Sequence, residues 1–340
     1  GLLTSEEFPP IQQRLMRFVR HKFRPGLNQY SVTKLIGDAS MRQYFRYTSA
    51  KRESFILAVY PEPFDPKDFN YLQIYELLRK ISIPVPEIFE IDGALGIVLQ
   101  EDLGNITFQK WLMTATTRKK QETFCKAIDF IATIQNDGSP LVAPSDQAAN
   151  LAFDFKKLLW EFDFFRKQYL KNYRHMNEGS LPNLENEFQR IAEELSACPR
   201  FLCHRDFHVR NLMIHRDSLY LIDFQDARWG PPSYDLVSLL KDSYDLNPEE
   251  VEGYLDYFLS KRHLNSSKKQ FLREFHLMAV QRLSKALGTF GYQVFVRNNF
   301  IYEQYMVGSL RRLLISLEYL DDFPKIRKLT EAELAQLSDS

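Results

Sequence analysis

The chain has 340 residues, 44% of them apolar and 26% charged, and its 44 Lys and Arg balance 44 Asp and Glu. That length suits two lobes or domains, and the charge balance leaves no net field to draw in a nucleic acid or an anionic membrane, so both are excluded as default partners. Cys125, Cys198 and Cys203 share no CxxC spacing and no neighbouring His cluster, which argues against a disulfide framework or a zinc site and fits a reducing compartment.

The segment GLLTSEEFPP carries acids where a secretory signal needs positive charge, and no run of 18 apolar residues follows anywhere. The expectation is a cytoplasmic protein without a membrane span. Residues 11–24 place Ile11, Leu15, Phe18 and Val19 on one helical face, which Pro25-Gly26 ends. Strands are expected at 31–37 and 43–49, joined through Gly37-Asp38-Ala39-Ser40, and at 54–61. A helix follows from about Asp68 to Lys80, with Leu72, Tyr75, Leu78 and Arg79 at helical spacing. An extended segment, IPVPEIFEIDG, then pairs with ALGIVLQ (94–100). Beyond EDLGN (101–105) the pattern turns helical, roughly over 107–136, 151–175 and 183–197. It is interrupted by a β-rich island at 201–224, and helices resume to the end. Loop 137–150 reads as the best candidate for a mobile segment. These elements divide the chain into a β-rich part (1–100), a connection (101–105) and a larger, mainly helical part (106–340), an α+β class.

The island holds HRDFHVRNLMIHRDSLYLIDF, with HRD at His204–Asp206 and again at His215–Asp217. The second straddles a polar turn between two strands, where Asp217 is a turn former. The first lies in a loop, five residues before Asn211 and 17 before Asp223. A carboxylate in a rigid loop can accept the proton of an attacking hydroxyl. An Asn oxygen and a second carboxylate, returned by the hairpin, can hold Mg²⁺ on nucleotide phosphates. This is the H-x-D-x-x-x-x-N and D-F layout of kinase-like phosphotransferases.

With those residues in hand, HRDFHVRNLM and LIDFQDARWGPPSYDLVSLLKDSY resemble the aminoglycoside phosphotransferase/choline kinase branch of the protein-kinase-like fold. GPPSYDLVSLL stands where a protein kinase has its long activation segment, and no APE-type motif follows. DASMRQYFRY (38–47), the IDFQDARWGPPSYDLVSLLKDSY run and QRLSKALGTFG (281–291), with EDLG beside them, resemble bacterial kinases that phosphorylate N-acetylmuramate or N-acetylglucosamine at the anomeric hydroxyl in peptidoglycan recycling. The resemblance runs from about Ser31 to Leu314. It implies a two-lobe fold with ATP and Mg²⁺ as cofactors and a small-molecule acceptor, an amino sugar, met in the cleft between lobes. A monomer is expected. By motif position, Asp206 resembles the catalytic base and Asn211 and Asp223 the Mg²⁺ ligands. Asp235 resembles the carboxylate that braces the catalytic loop, or else it is a plain helix N-terminal acid. His204 is expected to support the loop without doing chemistry. His208 and Arg210 are candidate contacts to acceptor or phosphate, or solvated loop residues.

The nucleotide half departs from the pattern. The strand lysine of an A-x-K motif would fall at Tyr60, and its glutamate partner near Tyr71 to Gln73. Both are missing together, which avoids a buried unpaired charge. Arg42 or Arg46 is expected to supply the cation, Ser40 and its neighbouring amides to face phosphate, and the backbone of Gln100, Glu101 and Leu103 to meet adenine. For the acceptor, Arg228 and Arg282 are candidate partners of a lactyl carboxylate, or surface arginines. An aminoglycoside, choline or homoserine kinase, or a nucleotide-binding pseudokinase, remains as the alternative.

Overall fold

The computed structural model describes residues 8–26, 29–36, 41–179, 181 and 183–339. The chain divides into two compact units, residues 1–106 with 213–222, and residues 107–212 with 223–340.

The first unit is built on a five-stranded antiparallel sheet: β1 (Tyr30–Lys34), β2 (Gln43–Ser49), β3 (Ser54–Val59), β4 (Ile88–Asp92) and β5 (Ile97–Glu101), in the order β1-β2-β3-β5-β4. Helix α1 (Ile11–Phe23) buries Leu15, Phe18 and Val19 against Phe45, Tyr47, Leu57, Val59, Ile97 and Leu99 of one sheet face. Period-two alternation assigns Tyr44, Arg46, Ile56, Ala58, Val98 and Gln100 to the other face, and they pair in register as Tyr44↔Ala58↔Val98 and Arg46↔Ile56↔Gln100. Helix α2 (Asn70–Lys80) buries Tyr71, Ile74, Leu77 and Leu78. Its buried stripe is therefore turned from the expected Leu72, Tyr75, Leu78 and Arg79, and only Leu78 is common to both. Tyr71 OH donates to Gln100 Oε1 (3.1 Å) of β5. One further feature escaped the periodicity. Arg14 is 2% exposed on the apolar face of α1. Its guanidinium donates to the carbonyls of Pro9 (2.8 Å), Tyr60 (3.0 Å) and Leu95 (2.7 Å) and lies 4.0 Å over the Phe8 ring.

The second unit opens with helices α3 (Phe108–Leu112), α4 (Thr117–Thr133), α5 (Phe155–Phe165) and α6 (Glu185–Ser196), then strand β6 (Phe201–Cys203). Residues 139–141 and 147–150, in the segment expected to be a mobile loop, form short 3₁₀ turns, and α5 continues into a π-helical stretch at Arg166–Tyr173. The chain then contributes a hairpin to the first unit, β7 (Leu212–His215) and β8 (Ser218–Leu221). Two backbone bonds fasten it there, Ile214 N–H to Ile106 O (2.9 Å) and Leu221 N–H to Pro84 O (2.8 Å). The turn residues Arg216 (φ 49°) and Asp217 (φ 59°) are both left-handed, the pattern of a type I′ turn. The second HRD is thus turn chemistry.

Back in the second unit, β9 (Arg228–Gly230) pairs antiparallel with β6. Helices α7 (Tyr234–Lys241), α8 (Pro248–Lys261), α9 (Lys268–Phe295), α10 (Met306–Leu320) and α11 (Pro324–Ser338) complete it. The 28-residue α9 is the spine. Gly288 and Gly291 let it approach the backbone of Phe165 and of Gln168 and Tyr169, where an added Cβ would meet atoms at 2.6 to 3.0 Å. Among the described residues no helix is long and apolar enough to cross a membrane.

Candidate active site

The loop after β6 carries His204, Arg205 and Asp206, and it is pinned from below. The Asp235 carboxylate, fully buried in the first turn of α7, accepts from His204 N–H (2.8 Å) and Arg205 N–H (3.1 Å). Burial raises the Asp235 pKa, and His204 and the two amide bonds oppose that rise. Arg205 needs the restraint, because its φ of 88° lies in the left-handed region that side chains disfavour. His204 Nδ1 in turn accepts from Asp206 N–H (3.2 Å), and its ring meets Phe207 edge-on. Asp235 and His204 therefore fix the backbone from which the Asp206 side chain projects.

At the far end of the loop, Asn211 Nδ2 donates to Asp206 O (2.9 Å) and lies 3.3 Å from His208 Nε2. The amide nitrogen faces the loop, so the Asn211 carbonyl oxygen is directed away from it. Burial, and then Arg210, push the His208 pKa down to about 4, which makes its ring neutral at pH 7 and able to accept at Nε2. Asp223 follows β8 with φ 57°, a conformation Asp tolerates better than most side chains, and it accepts from Gln225 Nε2. Two hard oxygen donors of this kind match Mg²⁺, which takes one or two protein ligands and completes its shell from phosphate and water. Among the described residues no set of three or more His, Cys, Asp or Glu forms a metal cluster.

The charge around Asp206 is cationic. Burial raises its pKa, but Arg282, Arg205, His208 and Lys285 lower it by more, so the net shift is downward and the carboxylate stays ionised. Arg282, on α9, lies 4.6 Å over the Tyr234 ring, hydrogen-bonds the Tyr234 hydroxyl and reaches Arg205 O (3.5 Å). Tyr234 stacks on Phe153 (4.0 Å), and Arg228 lies 5.2 Å from the Phe153 centroid with Nε directed at Asp226 O (3.4 Å). Both arginines expected at the acceptor are thus tied into one cation–ring stack beneath the loop. Arg210 is half-exposed and paired with Asp242 (3.1 Å).

In the first unit, Arg42 lies 5.8 Å over the ring of Tyr60, the residue at the missing lysine's position. Arg46 is engaged elsewhere, bidentate on Asp102 (2.6 and 3.0 Å) and bonded to Asn105 Oδ1 (2.8 Å). The structure separates the two arginines named as alternatives, with Arg42 beside the vacated position and Arg46 bracing the connection. Burial raises the Asp102 pKa, but the hydrogen bonds from Arg46 and Gly104 N–H outweigh that rise, for a net fall. Gln100 and Glu101 still belong to the β5 ladder, and Glu101 N–H is committed to Glu87 O (2.8 Å). Leu103 is buried beyond the ladder's end. Ser40, with its turn, lies outside the described residues.

Four contributors escaped the sequence reading. Asp102 stood in the quoted EDLG but was read there for its backbone. Tyr234 and Asp242 stood in the GPPSYDLVSLLKDSY run without an assigned role. Glu161 left a usable signal, since it is an acid on the stripe Leu158, Glu161, Phe162 and Phe165 that α5 buries.

Comparison with known proteins decides the kinship. The model of the phosphotransferase enzyme family matches residues 31–275. The chain belongs to that family. Among curated relatives, the N-acetylmuramate/N-acetylglucosamine kinase of Neisseria meningitidis serogroup B is 31% identical over 269 residues, 77% of this chain and 78% of that protein. The like-named kinase of Pseudomonas aeruginosa is 32% identical over 74% of each chain. Among solved structures, a choline kinase from Cryptosporidium parvum Iowa II superposes with a TM-score of 0.61 at 12% identity, covering 94% of this chain and 99% of that one. An ADP-bound aminoglycoside phosphotransferase gives 0.58 at 15% identity, covering 88% and 96%. For this family member those two likenesses bear on fold, and both agree with the protein-kinase-like architecture expected from the motifs.

Proposed function

We propose that the chain is an ATP- and Mg²⁺-dependent sugar kinase that phosphorylates the anomeric hydroxyl of N-acetylmuramate or N-acetylglucosamine. One observation carries the reading. Asp206, held ionised by surrounding cations, projects from a loop that Asp235 and His204 fix, and Asn211 and Asp223 offer oxygen donors in the same unit. The names of the relatives support the choice of sugar. The cations Arg205, Arg282 and Lys285 around Asp206 disfavour a polycationic aminoglycoside or a choline.

In the reaction, Asp206 orients the acceptor hydroxyl and takes its proton as the acceptor oxygen bonds to the γ-phosphorus and the bond to the β–γ bridging oxygen breaks, ADP leaving with that electron pair. Asn211 and Asp223 would hold Mg²⁺, which would supply neutralising charge for the nucleotide phosphates. Arg42 is the cation proposed for those phosphates, and the backbone near Leu103 the partner of adenine. Asp235, His204 and Tyr234 keep the base in register, so most of the acceleration comes from positioning and electrostatics.

The test is ATP consumption, with product mass measured, against N-acetylmuramate, N-acetylglucosamine, kanamycin, choline and homoserine. One phosphoryl is expected on the two amino sugars alone. Asp206→Asn should retain nucleotide binding yet lose on the order of 100-fold or more in turnover. Asp217→Asn, in a left-handed turn position Asn accepts, should match the wild type. Near-full turnover by Asp206→Asn would sink the assignment of the base.

A further inference from the structure

Beside Asp206 lies a polar cluster that the reaction as described does not use. Glu161 of α5 is 3% exposed, and its Oε1 accepts from Gln281 Nε2 (3.2 Å), which also donates to Leu158 O (3.3 Å). One turn on along α9, Lys285 Nζ stands 4.0 Å from Glu161 Oε2. That is an ion pair by charge but too long to be a hydrogen bond. Lys285 also lies near enough to Asp206 for each charge to act on the other. The buried Gln281 Oε1 and Ser284 Oγ of the same helix have no hydrogen-bond partner in the protein.

The cations near the base differ in what they have left to give. Arg282 commits Nη1 to the Tyr234 hydroxyl and Arg205 O and lies over the Tyr234 ring, and Arg228 is stacked on Phe153. Lys285 is different. It has three donors on a flexible stem and one carboxylate at 4.0 Å. Burial and then Arg282 lower its pKa, as expected of an ammonium desolvated beyond what its protein partners compensate. A ligand carboxylate would supply what is missing.

We propose that Lys285 recognises the carboxylate of an acidic amino-sugar acceptor, and that Glu161 and Gln281 Oε1 beside it accept hydrogen bonds from the sugar's hydroxyl and amide groups. This rests on the sugar-kinase reading and specifies how that site tells an acidic sugar from a neutral one. Glu161 holds Lys285 near the base by charge alone, which leaves the ammonium's donors for the ligand. The assignment moves carboxylate recognition away from Arg228 and Arg282, whose task is to hold the floor of the loop.

The experiment compares steady-state kinetics on three acceptors: N-acetylmuramate, its neutral methyl ester and N-acetylglucosamine. The wild type should show a KM for the acid about tenfold below that for the ester, roughly the worth of one added charge-assisted bond. In Lys285→Met that difference should vanish, with kcat/KM falling about tenfold more for the acid than for N-acetylglucosamine. Lys285→Arg should keep part of the preference. Glu161→Gln should weaken all three acceptors together. If Lys285→Met does not fold, the acid-to-ester comparison on the wild type still decides, and equal KM values overturn the proposal. A parallel loss on acid and neutral sugars in a folded Lys285→Met also overturns it while leaving the sugar-kinase reading intact. A wild type that phosphorylates none of the three defeats that reading, and the proposal with it.

Discussion

At the scale of single residues, identical sequence words acquire different meanings from the bonds around them. Asp206 and Asp217 both end an HRD, yet one is surrounded by Arg282, Arg205 and Lys285 and the other occupies a left-handed turn. The motif spacing made that distinction legible, because only the first HRD has an Asn five residues on. The sequence did not reveal which cations were already engaged, since engagement depends on side chains far apart in the chain, such as Arg282 and Tyr234. Titration shows the same dependence on context. His276 is buried in α9, with Nδ1 3.0 Å from Ser316 Oγ and its ring stacked on Tyr319. Burial first, and then Lys241, bring its pKa down to about 3. The folded state therefore keeps the ring neutral where the unfolded chain takes up a proton. Its contribution to stability is intact above about pH 6.5 and is lost as pH falls from there toward 3, at up to roughly 1.4 kcal/mol per pH unit. Urea unfolding at pH 6.5, 5.5 and 4.5 should show this slope in the wild type and a shallower one in His276→Gln. Equal slopes would mean that other groups set the acid limb.

At the scale of elements, hydrophobic period located the first unit best, since β2 runs over the expected residues and α1 and α2 end within a residue or two of expectation, whereas β9 was not expected and α7–α11 were expected only as helices resuming to the end. It was less able to orient them. The stripe of α2 was misassigned because Tyr71 is buried partly to reach Gln100, a polar contact no apolar count detects. Arg14 was hidden for the same reason, a cation on an apolar face that three distant carbonyls satisfy. Glycines inside α9 pose the opposite problem. By propensity, Gly291→Ala should stabilise a helix by up to about 1 kcal/mol. Here the new Cβ would stand 2.6 Å from Gln168 O and 2.9 Å from Tyr169 Cα, so the spine helix must back away from its neighbour. Overpacking of this kind costs about 1–3 kcal/mol, and the net should be destabilising. Chemical denaturation of Gly291→Ala reads the sign directly. Gly253→Ala in α8, where nothing lies within 4 Å of the added Cβ, is the control expected to hold or gain stability.

At the scale of the whole molecule, the linear order of the sequence misleads in one respect. A boundary at residues 101–105 suggests two consecutive parts, but the first unit takes back residues 213–222 from the middle of the second. In sequence, the loop of Asp206 and Asn211 precedes that hairpin and Asp223 follows it, and all three residues belong to the second unit. The hairpin is anchored through Ile106 O and Pro84 O, and it buries Met213, Leu219 and Leu221. Burial of three such side chains is worth about 1.5–3 kcal/mol each, enough in sum for the strands to hold without the peptide link at the connection. A specific protease site inserted after Asn105 should therefore be cut without releasing the halves. They should co-elute on size exclusion in native buffer and separate only in denaturant. The cut protein should lose melting temperature, because closing the unit from two chains restores entropy to the unfolded state. Halves that part on cleavage in native buffer would show that residues 213–222 do not hold the first unit together.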